Sequence, residues 1–155
     1  MFDHSFGRVW TDGTTPCLFA QVVRVPRQAE LDDLAEKQVA LIKELKRRLG
    51  DVYSILDLRL CPVLPAHIIQ HYIANLVPLQ FEVGLKHKAF VAPEEKAARE
   101  VFEKALLLID NRPISQHLSF EKALAKINQL RTQEKNSGER NPTATFLQAL
   151  YEKLT

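Results

Sequence analysis

The chain has 155 residues, of which 46% are hydrophobic and 26% are charged. These proportions are normal for a globular protein, and the length suits one domain with a substantial core. They exclude intrinsic disorder, collagen-like repeats and small disulfide-stapled folds. The 21 basic and 19 acidic side chains leave a formal charge of +2, so no strongly basic surface points to a nucleic-acid partner.

The predicted elements begin with a β-hairpin, because residues 6–10 and 17–25 are apolar segments separated by turn-forming residues. Residues 28–49 carry apolar side chains at steps of three and four, with acidic residues first and basic residues last. This pattern predicts a helix that Gly50 ends. Residues 52–60 predict another strand. The order strand, helix, strand favours a right-handed crossover and a parallel pair.

The alternation of strand and helix then repeats. A helix is predicted to begin at Pro65, and Pro78 should kink or restart it. Residues 88–92 predict a strand, residues 94–109 a helix with an apolar stripe, and residues 114–118 a short last strand. An α/β fold with repeated βα units follows from this order.

The last part of the chain is predicted to be an addition to this domain. Ser119 should cap a helix. Residues 131–140 are polar and predict a loop or linker, and the apolar positions of 146–154 predict a short amphipathic helix. Such a helix would dock on its own domain, on a second copy or in a partner's groove. We therefore divide the chain into a domain at 1–131 and a linker with a C-terminal helix at 132–155.

Two cysteines, Cys17 and Cys61, lie far apart, each among apolar residues. Free cysteine is among the most buried residue types, so both are predicted to lie in the core. The first ten residues do not resemble a secretory signal, and the longest apolar run, residues 105–109, is too short to cross a bilayer. We expect a cytoplasmic protein without membrane contact.

Three stretches resemble the bacterial STAS-like domains, which are related in fold to the antagonists of anti-sigma factors. Residues 55–58, Ile-Leu-Asp-Leu, are similar to the apolar strand of STAS domains with its terminal Asp. Residues 75–91 resemble the helix, glycine turn and strand of the SpoIIAA-like group, and residues 120–127 its closing helix. The resemblance implies a SpoIIAA-like α/β fold, with a mixed sheet, an N-terminal β-hairpin, repeated βα units and an additional C-terminal helix.

The phosphorylation site of regulatory STAS domains has no counterpart in this sequence. In the family, a Ser or Thr is phosphorylated at the N-terminus of the helix after the Asp-bearing strand, where helix amides can meet a phosphate. Here residues 61–66 read Cys-Pro-Val-Leu-Pro-Ala. The resemblance therefore implies a non-enzymatic regulatory or protein-interaction module without the phosphoswitch. Its partner would be another protein, a second copy in a homodimer, or a small apolar ligand.

The candidate binding residues lie in the loop after the predicted strand 52–60 and at the start of the next helix, because the resemblance implies that this edge is the working surface. They are Asp57, Arg59, Cys61, His67 and His71. Asp57 at a strand end suits a ligand site, but it could equally form an ion pair with Arg59.

A second hypothesis is a small-ligand-binding protein or an enzyme with a pocket at Cys61, His67 and His71. A thiol near a helix start can have a lowered pKa, and His67 could act as its base. His67 and His71 are four residues apart and share a helix face, but a third metal ligand is missing. His87 and His117 would have to arrive through the fold. We therefore predict no metal, no cofactor and no catalytic residue.

Overall fold

The structure is a computed structural model that describes residues 2–139. A mixed sheet of six strands runs through this part of the protein. The strands lie in the sheet in the order in which they occur along the chain. The first three are antiparallel, and the last four are parallel to one another. The strands are β1 (Phe2–His4), β2 (Gly7–Trp10), β3 (Cys17–Val22), β4 (Val52–Asp57), β5 (Leu85–Val91) and β6 (Ile114–His117).

Helices connect the parallel strands, as parallel pairing requires. They are α1 (Gln28–Leu49), α2 (Ala66–His71), α3 (Val77–Glu82) and α4 (Lys96–Leu106), and α5 (Phe120–Glu139) follows the last strand. The helices α1 to α4 pack on one face of the sheet, which we call the helix-layer face, around buried residues such as Leu34, Phe90 and Phe102. Ala123 and Ile127 of α5 pack on the opposite face, the α5 face.

The helix α1 has the predicted bounds. Its buried side chains recur on one stripe that includes Leu31, Leu34, Ile42 and Leu45. Gly50 ends it with φ at 91°, a conformation that glycine adopts without a steric penalty, and its N–H donates to the carbonyl of Lys46 at 3.1 Å. The prediction of this helix, including its end, is confirmed.

The helical segment between β4 and β5 is interrupted before Pro78, as predicted. A π-helical turn, Tyr72–Leu76, joins α2 to α3, and the N–H of Val77 donates to the carbonyl of Tyr72, five residues earlier. Pro78 has no N–H and its ring would collide with the preceding turn of a regular helix. The wider turn relieves this conflict. Turns of this kind are frequent at functional sites.

Several element boundaries differ from the prediction. The strand β4 ends at Asp57, because Leu58 begins a turn in which the N–H of Cys61 donates to the carbonyl of Leu58 at 3.0 Å. The strand β1 was not predicted. The helix α5 begins after Ser119, whose Oγ accepts from the N–H of Lys122 at 3.2 Å as a cap, and it continues to Glu139 where a loop was expected.

Arg131, Gln133, Glu134 and Lys135 are good helix formers and favour the continuation past Leu130, whereas its passage through residues 136–138 has no explanation in the local sequence. The predicted helix in residues 146–154 lies outside the described residues, and the division at 131 stays a prediction. The α/β class, the mixed sheet, the hairpin and the repeated βα units are confirmed. Within residues 2–139, no helix combines the length and apolar character needed to span a membrane.

Candidate functional site

The loop after β4 is held by an ion pair between Asp57 and Arg59. Two guanidinium nitrogens of Arg59 donate to the two carboxylate oxygens at 3.0 and 2.9 Å, and the backbone N–H of Arg59 donates to Oδ1 at 3.0 Å. Hydrogen bonding to Asp57 raises the pKa of the Arg59 guanidinium. Asp57 is buried, and its hydrogen bonds to Arg59 fix the conformation of the loop. The ion pair, which was the alternative interpretation of Asp57, is present.

Cys61 lies in the core of the helix-layer face. It is buried, and desolvation raises the pKa of its thiol to about 12. It lines an apolar cavity of about 10 Å³ together with Leu58 and Phe102, and neither His67 nor His71 lines that cavity. The thiol is therefore protonated at neutral pH and is not an activated nucleophile.

The two histidines of α2 do not act as a pair. His67 is exposed, whereas His71 contacts α1, with its Nε2 2.6 Å from Oδ1 of Asp32. The amide of Asn75 donates to Nδ1 of His71 at 3.0 Å, so Nε2 carries the proton that is donated to Asp32. His71 thus joins α2 to α1. The five candidate residues lie along one loop and helix, but Cys61, His67 and His71 are not assembled into one pocket.

A groove of about 600 Å³ runs along the outer face of α4, and we call it the α4 groove. Its apolar lining includes Leu107, which is 69% exposed, and Val63 of the loop that follows β4. The carboxylates of Glu100 and Glu103 and the amine of Lys104 form its polar rim. Exposed apolar surface with a polar rim is typical of a protein contact site.

The α4 groove adjoins the predicted working loop, because the carbonyl of Arg59 accepts from the N–H of Glu94 at 3.1 Å, just before α4. Leu60, in the same loop, is 62% exposed. The sequence did not predict this groove. The apolar stripe predicted for residues 94–109 includes Leu108 by its spacing, but Leu108 is 53% exposed. The helix tightens into a 3₁₀ turn at Leu107–Ile109, which changes the direction of these side chains.

A polar cluster inside the helix-layer face surrounds Lys88, which is fully buried on β5. Its Nζ donates to Oε1 of Gln80 at 2.9 Å and to Oγ of Ser54 at 3.2 Å. Oε1 of Gln38 accepts from Nε2 of Gln80 and from the hydroxyl of Tyr72, both at 2.9 Å. Because these partners are neutral, desolvation lowers the pKa of Lys88 to about 7. We call these five residues the Lys88 cluster.

A second polar cluster lies on the α5 face, where Nε2 of His87 is 2.8 Å and Nε2 of His117 is 2.7 Å from Oγ of Ser115. We call these three residues the His87 cluster. His87 also lines an open groove of about 500 Å³, together with Phe81 and Leu130. The sequence named both histidines only as ligands that would have to join His67 and His71 through the fold, and the fold instead brings them to each other on the opposite face of the sheet.

Within residues 2–139, no three histidine, cysteine or carboxylate side chains are placed to share one metal ion. The chain was also compared with protein-family models, with curated proteins and with solved structures, and no match was found. Evidence about function therefore comes from the sequence motifs and from the geometry of these sites.

Proposed function

We propose that this chain is a STAS-like, SpoIIAA-like protein-interaction module without the phosphoswitch, acting in the cytoplasm through surface contact and not through catalysis. The order of elements supports the proposal: a leading hairpin, repeated βα units, a short closing strand and a helix follow one another as the resemblance implies. A fold alone does not establish a function, so the argument depends on the surface.

The α4 groove is the single observation that carries the proposal. It combines three properties of a docking surface: exposed aliphatic side chains, a carboxylate and amine rim, and an adjoining loop held in one conformation. Leu107 and Leu60 are among the most exposed large apolar side chains of the described residues. The Asp57 and Arg59 ion pair orders the loop before a partner binds, which lowers the entropy cost of association.

The occupant that suits the α4 groove is an apolar helix or segment of another protein. Burying one leucine of this exposure is worth about 1 to 2 kcal/mol, so a few such contacts give a specific but reversible complex. A homodimer formed by residues 146–154 stays a prediction, since those residues are not described. The second hypothesis, a reactive pocket at Cys61, gains no support from a buried and protonated thiol.

A matched pair of leucine variants tests this proposal. Leu107 and Leu118 are 69% and 68% exposed, but Leu118 does not line the α4 groove. Wild-type protein, Leu107→Ser and Leu118→Ser are immobilised and exposed to a lysate of the organism that encodes the chain. Captured proteins are quantified by mass spectrometry, and circular dichroism verifies that each variant is folded.

We expect a protein that wild type and Leu118→Ser capture equally and that Leu107→Ser captures about tenfold less, since 1.4 kcal/mol corresponds to a factor of ten. Equal capture by all three proteins would refute the assignment of the groove. Capture no greater than that of blank beads would argue against an interaction module of any kind.

A further inference from the structure

The exposed side of α4 has the spacing of a helix that packs against another helix. Ala97, Glu100, Lys104 and Leu107 are exposed and line the α4 groove. They follow one another at steps of three, four and three residues, so they lie along one side of the helix and of the turn that continues it. Contact residues of two paired helices recur with this alternating spacing. The groove therefore suits a second helix.

These four residues, which we call the α4 stripe, are complementary to a second, antiparallel copy of themselves. A two-fold axis at the level of Phe102 makes residues at equal distances before and after Phe102 face each other. Ala97 then faces Leu107 of the second copy, so the smallest side chain of the stripe meets the largest apolar one. Glu100 faces Lys104 of the second copy, so opposite charges meet. The axis repeats each contact, and all four layers of the pair are complementary.

The charges of the α4 stripe are not used within the chain. Neither Glu100 nor Lys104 forms an ion pair with another of the described residues. Glu103 differs, because its carboxylate accepts from Nε2 of Gln116 at 3.2 Å and is held towards β6. In a parallel pair each residue of the stripe would face the same residue of the second copy, and the like charges would repel. The charges therefore favour the antiparallel pair.

We propose that a second copy of this chain occupies the α4 groove of the isolated protein, through an antiparallel pair of α4 helices. The inference rests on the proposed function, since it requires the groove to be a contact surface, and it names the occupant when no other partner is bound. Two contacts between alanine and leucine provide the apolar burial, and two contacts between glutamate and lysine fix the register. Val63 lines the same groove and adds apolar surface beside the paired helices.

The short contact makes this dimer weak and reversible. The helix α4 has 11 residues and is therefore about 16 Å long. Stable complexes bury about 800 Å² per partner, which exceeds what one side of such a helix offers. We expect a dissociation constant on the order of 10 to 100 µM. The dimer covers the groove at high protein concentration, and a partner that binds more tightly displaces the second copy.

Charge reversal in the untagged chain tests the pair by sedimentation equilibrium at pH 7. The samples are wild type, Glu100→Lys, Lys104→Glu and an equimolar mixture of these two variants, each measured from below to above the expected dissociation constant. Glu36→Lys is the matched control, because Glu36 is exposed on α1 and does not line the groove. The two groove side chains are exposed as well, and circular dichroism checks that each variant keeps the wild-type fold.

We expect wild type and Glu36→Lys to dimerise with the same affinity. Each groove variant should dimerise about tenfold more weakly, because two contacts between like charges replace two attractive contacts. The equimolar mixture should recover the wild-type affinity, since each Glu100→Lys chain then places lysines opposite the glutamates of a Lys104→Glu chain. Added salt should weaken the wild-type dimer, because exposed charge pairs are screened.

Three results would overturn the proposal: a wild type that is monomeric at every concentration, equal dimerisation of wild type and both groove variants, or a mixture that dimerises as weakly as its components. The capture experiment with Leu107→Ser separates this failure from failure of the proposed function. A monomeric wild type whose captured protein is lost in Leu107→Ser refutes the second copy and keeps the groove as a contact site.

Discussion

Two adjacent residues of β5, His87 and Lys88, belong to different polar clusters, one on each face of the sheet. Lys88 lies in the helix-layer face, fully enclosed and bonded to neutral side chains from the surrounding elements. His87 lies in the α5 face, bonded to Ser115, and also lines an open groove. The alternation of side chains along a strand separates the two environments.

The comparison shows that two polar clusters that begin on one strand differ in their access to solvent. In the Lys88 cluster the polar atoms bond one another, except that Nε2 of Gln38 is buried and lacks a hydrogen-bond partner among the described residues. In the His87 cluster, His87 lines an open groove. We therefore expect substitutions to cost more stability in the first cluster than in the second.

The largest expected effect concerns the thiols, one on each face. Burial raises the pKa values of Cys17 and Cys61 to about 12, which lowers the thiolate fraction at neutral pH by orders of magnitude. In a titration with a disulfide reagent at pH 8, both thiols of the native protein should react at least about 100-fold more slowly than in denaturant. Rapid reaction of Cys61 in the native state, identified by peptide mapping of the modified protein, would restore the reactive-pocket hypothesis.

The next effect tests the enclosure of the Lys88 cluster. Gln80→Leu removes the main acceptor of Lys88 and a donor to Gln38, and leaves buried polar atoms unpaired. We expect a loss of about 3 kcal/mol in the free energy of unfolding, measured by urea denaturation. Gln116→Leu is the control, since Gln116 is exposed and bonds Glu103 on the surface; it should change stability by less than about 0.5 kcal/mol. Similar losses in the two variants would show that the cluster is not enclosed.

The pH dependence of stability tests the charge state of Lys88. Its pKa is lowered to about 7 in the folded protein and is near 10.4 when unfolded, so between these values the unfolded chain binds more protons and stability rises with pH. We expect a gain of about 1 kcal/mol from pH 7 to pH 8 that is absent in Lys88→Met. Between pH 7 and pH 8, Cys17, Cys61 and Tyr72 are mainly protonated in both states. Their pKa values are raised to about 12 in the folded protein, and in the unfolded chain they are about 8.5 for cysteine and about 10 for tyrosine. Parallel pH profiles of the two proteins would contradict the prediction.

The smallest effect tests the openness of the His87 cluster. Ser115→Ala removes the shared hydroxyl, but His87 can bond water in its groove. We expect a loss below about 1 kcal/mol in the free energy of unfolding, clearly less than for Gln80→Leu. A loss as large as that of Gln80→Leu would mean that the His87 cluster is closed to water, and the comparison between the two faces would fail.

Local patterns predicted much of this fold, and long-range contacts explain what they missed. The helix α1 could be predicted to the residue, because its stripe, its terminal charges and Gly50 are all local signals. The pairing of Lys88 with Ser54 and Gln80 could not, since a lysine in an apolar strand carries no sign of its partners. The same applies to His87 and His117, which only the register of β5 and β6 brings together.

The position of the candidate site was predicted from the sequence, but the surroundings of its side chains were not. Asp57 and Arg59 lie next to the surface that we propose for binding, as expected for a strand end in a sheet of this type. Cys61 and His71 were given chemical roles that depend on neighbours, and the fold supplies a closed core and Asp32 instead. Leu107 lies three and four residues after Lys104 and Glu103 on the polar side of its helix, so its exposure follows from helical spacing.

Hydrogen–deuterium exchange of the protein alone and with its captured partner tests the central claim, contact through the α4 groove, most directly. The account predicts that the partner slows exchange in the peptides that contain Lys96–Leu106 and the loop of Leu60 and Val63. Exchange in Phe120–Leu130 of the opposite face should not change. Protection confined to α5 and β6, with none along α4, would contradict the account.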